Sequence, residues 1–131
     1  DGYESRHNLK YWNLDEYIGL GVAAHSFVGN KRFSNTDSLE KYLCGDFRSG
    51  ESQLLTAEDL MGEYMMLGLR KTKGVNAVDF KMRFNRDIQY VYSNTLKKYI
   101  RTGFMKEENG FFSLTDKGLD VSNAIMCEFL L

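Results

Sequence analysis

Apolar positions fall into short runs of two periods along the chain, and no proline interrupts them. Tyr17 to Ala24 reads as an apolar strand whose glycines admit a close backbone neighbour. Thr36-Asp37-Ser38 predicts the cap of a short helix through Leu39, Tyr42 and Leu43, stopped at Gly45. The polar stretch from Gly45 to Thr56 is the clearest break. After it, Thr56 is a suitable N-cap, with Glu58 and Asp59 in the first turn, where carboxylates favour the positive end of the helix dipole. Leu60, Tyr64 and Leu67, flanked by Met61 and Met65, predict the buried face, and Gly68 marks tight packing or the approach of the helix end. A second helix is expected from Ala77 to Phe84. A third runs from about Asp87, with Ile88, Val91, Tyr92, Leu96, Tyr99 and Ile100 at helical spacing and Lys97, Lys98 and Arg101 pointing outward. Beyond Gly103 the period becomes extended. Phe104-Met105-Lys106 and Phe111-Phe112-Ser113 flank Asn109-Gly110, a pair that tolerates the positive φ of a tight hairpin turn. Thr115 then caps a last helix whose face is Leu119, Ser122, Ile125, Met126 and Phe129. The expected fold class is α+β: a winged-helix-like domain of helices with a β-hairpin wing at 51–131, preceded by a strand-loop-helix segment at 1–50.

Composition supports a folded core. Apolar residues make up 43% of the 131 and aromatics 14%, which excludes general disorder. No apolar run approaches the ~20 residues of a membrane helix. The start, Asp1-Gly2-Tyr3, has neither an initiator methionine nor a secretory pattern, so the chain is expected to be a piece of a longer one. Cys44 and Cys127 match no metal-ligand spacing; buried thiols in a reducing cytoplasm are the expectation. The net charge of −1 hides an asymmetry: Lys71 to Lys106 holds nine basic residues against Asp79 and Asp87, leaving eight basic and sixteen acidic elsewhere. A basic face is expected there.

Two motifs carry candidate chemistry. His7-Asn8-Leu9-Lys10-Tyr11-Trp12 puts an imidazole, an amide and two aromatic rings within six residues. A neutral imidazole can ligate iron axially, and the rings can stack on or edge a flat macrocycle. On composition alone a lone histidine beside aromatics is more often a satisfied hydrogen-bonding residue. The second motif, Gly19-Leu20-Gly21 with Ala23-Ala24-His25-Ser26, is weak by itself, with tight packing the commoner outcome.

Together these segments resemble the end of the catalytic barrel in the oxygen-independent coproporphyrinogen III oxidase-like family, the radical S-adenosylmethionine proteins of haem metabolism. Lys31-Arg32-Phe33, Asn35, Leu67-Gly68-Leu69-Arg70 and Leu114-Thr115-Asp116-Lys117-Gly118 extend the likeness over essentially the whole chain. The His-Asn-x-x-Tyr-Trp pattern marks the haem-chaperone branch. The resemblance therefore implies haem-binding roles for His7, Asn8, Tyr11 and Trp12, with His7 as ligand to haem iron. It places Gly19, Gly21, His25 and Ser26 near a cofactor pocket of the parent, whose barrel would hold a [4Fe–4S] cluster and S-adenosylmethionine. The Cys-x-x-x-Cys-x-x-Cys that such a cluster needs is missing from this sequence, so this chain alone is not the catalyst. The partners implied are that barrel, haem or a porphyrin, and haem-acceptor proteins, in the cytoplasm. Two rival readings are the coproporphyrinogen oxidase itself and a nucleic-acid-binding winged helix, the latter disfavoured because its third helix presents Tyr90, Tyr92 and Tyr99 among few base-reading amides. A third makes the domain a structural lid whose basic face meets an acidic barrel surface or the porphyrin propionates.

Overall fold

The structure is a computed structural model that describes residues 5–131, with the backbone alone at 49–51. The initial Asp1-Gly2-Tyr3 lies outside the described residues. In chain order the elements are α1 (Arg6–Trp12), β1 (His25–Val28), β2 (Lys31–Asn35), α2 (Leu39–Leu43), β3 (Arg48–Leu54), α3 (Ala57–Gly68) and β4 (Val75–Asn76). They continue with α4 (Ala77–Phe84), α5 (Ile88–Val91), α6 (Ser93–Arg101), β5 (Met105–Glu108), β6 (Phe111–Leu114), α7 (Asp116–Leu119) and α8 (Ser122–Cys127). The chain divides into two compact units, one of residues through Leu14 with Ala57–Leu131, the other Asp15–Thr56. The expected 1–50 segment is thus shared between them.

The larger unit is the winged-helix-like domain. The α3 helix starts directly after Thr56, and its buried face centres on Met61 and Met65, with Leu60 and Tyr64 beside them. Leu67 is only half-buried, because the face follows the methionines one residue round the helix. The Asn76 side chain accepts from the N–H groups of Val78 and Asp79 and so starts α4, whose Phe80 is fully buried. The single helix expected from Asp87 is two, α5 and α6. Tyr92 leaves helical geometry at φ −111°, ψ 27°, yet its N–H still reaches Ile88 O and its carbonyl still accepts from Leu96. This one-residue kink keeps Ile88, Tyr92, Leu96 and Tyr99 all buried. The expected final helix is likewise divided, at Asp120-Val121. The wing is as expected: β5 and β6 pair antiparallel from Met105↔Leu114 to Glu108↔Phe111, and Asn109 and Gly110 take φ of 53° and 78°. Short β4 extends it on the other edge of β6, through Val75↔Phe112. Edge-to-face rings run through the core, Tyr64 to Phe80 to Tyr92 to Phe129.

The smaller unit corrects two expectations. Tyr17 to Ala24 is not a strand. Gly21 and Ala23 sit at φ 110° and 56°, which bends the segment into a turn, and the strand begins only at His25. Tyr17 keeps one isolated bridge to Phe27. The unit is also more than strand, loop and helix. Antiparallel strands in the order β1-β2-β3 form a sheet, and β3 occupies what reads as a break. Its sequence, Arg-Ser-Gly-Glu-Ser-Gln-Leu, has no apolar alternation; pairing to β2 through Lys31↔Leu54 and Phe33↔Ser52 defines it. The α2 helix is capped by Ser38 as expected, and Phe27 is the buried aromatic of the sheet.

Candidate functional site

The α1 helix carries the His-Asn-x-x-Tyr-Trp motif. Ser5 caps it by accepting from the Asn8 N–H, at 3.4 Å. One helical turn apart, His7 and Tyr11 share a face, their rings 5.0 Å apart at 72°. Asn8 and Trp12 share the adjacent one. His7, Asn8 and Tyr11 are exposed, Trp12 is half-buried, and no residue of α1 is fully buried. An imidazole standing free on a surface helix, braced by a tyrosine edge, is chemically competent to offer a nitrogen to a metal centre. The helix ends at Asn13 and at Leu14, which is buried at φ 56°.

The glycine segment makes a different local structure. The Gly19 N–H donates to Ser26 Oγ at 3.0 Å, and the Gly21 N–H to the Tyr42 hydroxyl at 3.0 Å. The Asn35 side-chain amide donates to the carbonyls of Gly19 and Gly21, at 3.2 and 2.8 Å. A Cβ at Gly19 would run into the His25 carbonyl oxygen. Gly19, Gly21 and Ser26 are thus brought together in a mutually hydrogen-bonded knot, with Ser26 fully buried, whereas the His25 side chain is exposed. Sequence reading missed Tyr42, whose helical spacing marked it only as part of an apolar face.

Charge in the basic stretch is partly consumed inside the chain. Lys71 donates to Asn13 Oδ1 at 2.8 Å, and Arg83 to the carbonyls of Asn13 and Leu14. Lys98 pairs with Glu128 at 2.7 Å and Lys106 with Glu108 at 2.9 Å. Glu128 is held below the usual carboxylate range by its hydrogen bonds from Lys98 and then Tyr99. Of the three tyrosines read on the third helix, Tyr90 is exposed, whereas Tyr92 and Tyr99, which belong to its apolar repeat, turn into the core. Burial pushes the Tyr92 phenol up. Both cysteines are exposed, against expectation, because Cys44 caps the end of α2 and Cys127 is the last residue of α8, beyond its buried Ile125 and Met126. Among the described residues no three His, Cys, Asp or Glu side chains gather as a metal would require. With two cysteines in the sequence, Cys44 and Cys127, the chain does not supply the three thiolates that a [4Fe–4S] cluster of the S-adenosylmethionine type needs. Nor is any described helix long and apolar enough to cross a membrane.

Fold and site together define a winged-helix-like domain that displays a histidine-aromatic helix. Residues 55–121 match the HemN C-terminal domain, and the chain belongs to that family. It is 31% identical over 133 residues to the heme chaperone HemW of Bacillus subtilis (strain 168), aligned over 98% of this chain and 35% of that protein. It is 30% identical over 133 residues to HemW of Lactococcus lactis subsp. lactis (strain IL1403), over 99% of this chain and 35% of that protein. Among solved structures it is similar to coproporphyrinogen III oxidase (HemN) from Escherichia coli, a radical SAM enzyme, with a TM-score of 0.68 at 16% identity, covering 88% of this chain and 28% of that one. That likeness concerns the fold. The chain spans about a third of the length of the curated relatives it matches. The resemblance drawn from the motifs is borne out at the level of the family.

Proposed function

We propose that this chain is the C-terminal region of a cytoplasmic haem chaperone of the radical S-adenosylmethionine type, binding haem as cargo for delivery to acceptor proteins. The observation that carries the reading is the exposed His7 imidazole braced by Tyr11 on α1, in a chain whose relatives are named heme chaperones. In it, His7 supplies a nitrogen to haem iron, Tyr11 and Trp12 lie against the macrocycle, and Asn8 offers an amide to a polar substituent at its edge. A [4Fe–4S] cluster and S-adenosylmethionine belong to a barrel supplied by the remainder of the protein, on which this chain docks. Gly19, Gly21 and Ser26 support that end of the protein by backbone packing, and His25 stands beside them as a candidate pocket residue. The coproporphyrinogen oxidase reading is weaker, because the chaperone-branch motif is complete at His7, Asn8, Tyr11 and Trp12. Nucleic-acid binding is weaker as well, since Lys71, Arg83, Lys98 and Lys106 already have partners within the chain. Titration of the chain with haem tests the reading. Saturable binding near one haem per chain is expected, and absence of binding would remove the haem role from this region.

A further inference from the structure

Although α1 bears the proposed ligand, it has little to hold it in place. It is seven residues long with none buried, and helices below ~12 residues are marginal in water by themselves. What fixes it lies at its C-terminal end. Leu14 takes φ 56°, a left-handed conformation that side-chain-bearing residues disfavour and that glycine usually occupies at this position of a helix. Its side chain is 3% exposed. The Arg83 guanidinium forks onto two successive carbonyls there, with Nη1 donating to Asn13 O at 2.8 Å and Nη2 to Leu14 O. Lys71 Nζ holds the Asn13 side chain at Oδ1, 2.8 Å away. The guanidinium carbon also sits 5.5 Å from the centre of the Tyr64 ring on α3, the helix against which α1 packs. Both cations lie at the negative end of the α1 dipole.

We propose that Arg83, assisted by Lys71, is a positioning residue that clamps α1 to the winged-helix-like domain and thereby sets the orientation of His7. The consequence for haem rests on the function proposed above, whereas the clamp itself does not. Two cations of the basic stretch thus act within the chain. A lysine at position 83 would keep the charge and lose the planar two-carbonyl grip.

The test uses the 131-residue chain as wild type, Arg83→Gln, Arg83→Lys and His7→Ala. Without haem, amide exchange is read at Leu9 and Asn13, and emission at Trp12, the single tryptophan. Haem is then titrated into each. Arg83→Gln is expected to speed exchange in α1 by about tenfold or more, since it removes two charge-assisted hydrogen bonds, while Leu96 in the core is unchanged. Trp12 emission shifts, haem affinity falls severalfold with an altered Soret band, and Arg83→Lys lies between. Unchanged protection of α1 in Arg83→Gln would overturn the clamp. A loosened α1 with unaltered haem affinity, where His7→Ala does weaken binding, would overturn the positioning role. If α1 loosens but neither Arg83→Gln nor His7→Ala changes haem binding, the clamp stands and the haem reading fails.

Discussion

Replacing Tyr92 by phenylalanine removes a single oxygen from the joint between α5 and α6. The residue is 3% exposed, and its ring centre lies 6.1 Å from that of Phe80 and 5.2 Å from that of Phe129. Its hydroxyl is buried with no hydrogen-bond partner among the described residues. In proteins a buried unpaired hydroxyl costs about 1–3 kcal/mol, and phenylalanine retains every ring contact. Tyr92→Phe is therefore expected to raise stability by about 1 kcal/mol, or roughly 4 °C in Tm for a chain of this size. Tyr99, also buried, hydrogen-bonds Glu128, so Tyr99→Phe serves as the control and should lower Tm instead. Thermal unfolding followed by circular dichroism, with denaturant titration alongside, measures both. The pH dependence gives an independent reading. Burial raises the Tyr92 phenol above its ordinary value, so the unfolded chain releases this proton first. Its contribution is complete below about pH 10 and is lost as pH rises toward the folded value, by up to about 1.4 kcal/mol per pH unit. Tyr92→Phe lacks that loss, and its stability curve should be flatter in alkali. A lower Tm for Tyr92→Phe would mean instead that the hydroxyl is satisfied in solution.

Two further predictions concern packing and charge. Gly19→Ala drives a Cβ onto the His25 carbonyl and should destabilise the sheet unit by about 1–3 kcal/mol; amide exchange at Phe27 and Asn35 reads this, and unchanged rates there would show that the backbone is free to move aside. Because Lys98 and then Tyr99 lower the Glu128 pKa, the group contributes stability above about pH 4.3 that is lost as pH falls through its depressed value. Glu128→Gln should flatten the acid limb of Tm against pH, and an unaltered limb would show that the pair contributes nothing in solution.

Local signals made much of the fold legible. Ser38 and Thr115 cap helices as their side chains suit them to, α4 runs from Ala77 to Phe84 as its pattern predicts, and Asn109-Gly110 turns the wing as its tolerance of positive φ requires. The illegible parts depend on distant partners. β3 is polar and exists because β2 offers it a backbone ladder, so no apolar alternation announced it. The kink at Tyr92 preserves the three-and-four spacing on both sides and leaves no trace in periodicity. At the candidate site, the motif could be read from six consecutive residues but the helix that carries it could not, and its anchors Lys71 and Arg83 lie 58 and 70 positions from Asn13. In sequence they look like members of a solvated basic run. The glycine knot was half legible: Gly19 and Gly21 suggested close approach, but Asn35 and Tyr42 as its hydrogen-bonding partners emerged only from the fold.

The proposed ligand of haem iron is His7. The chain contains two histidines, so His7→Ala and His25→Ala, each titrated with haem beside the wild type and followed through the Soret band, form a complete comparison. The band should be lost or shifted in His7→Ala and retained in His25→Ala. An unchanged band and affinity in His7→Ala would contradict it.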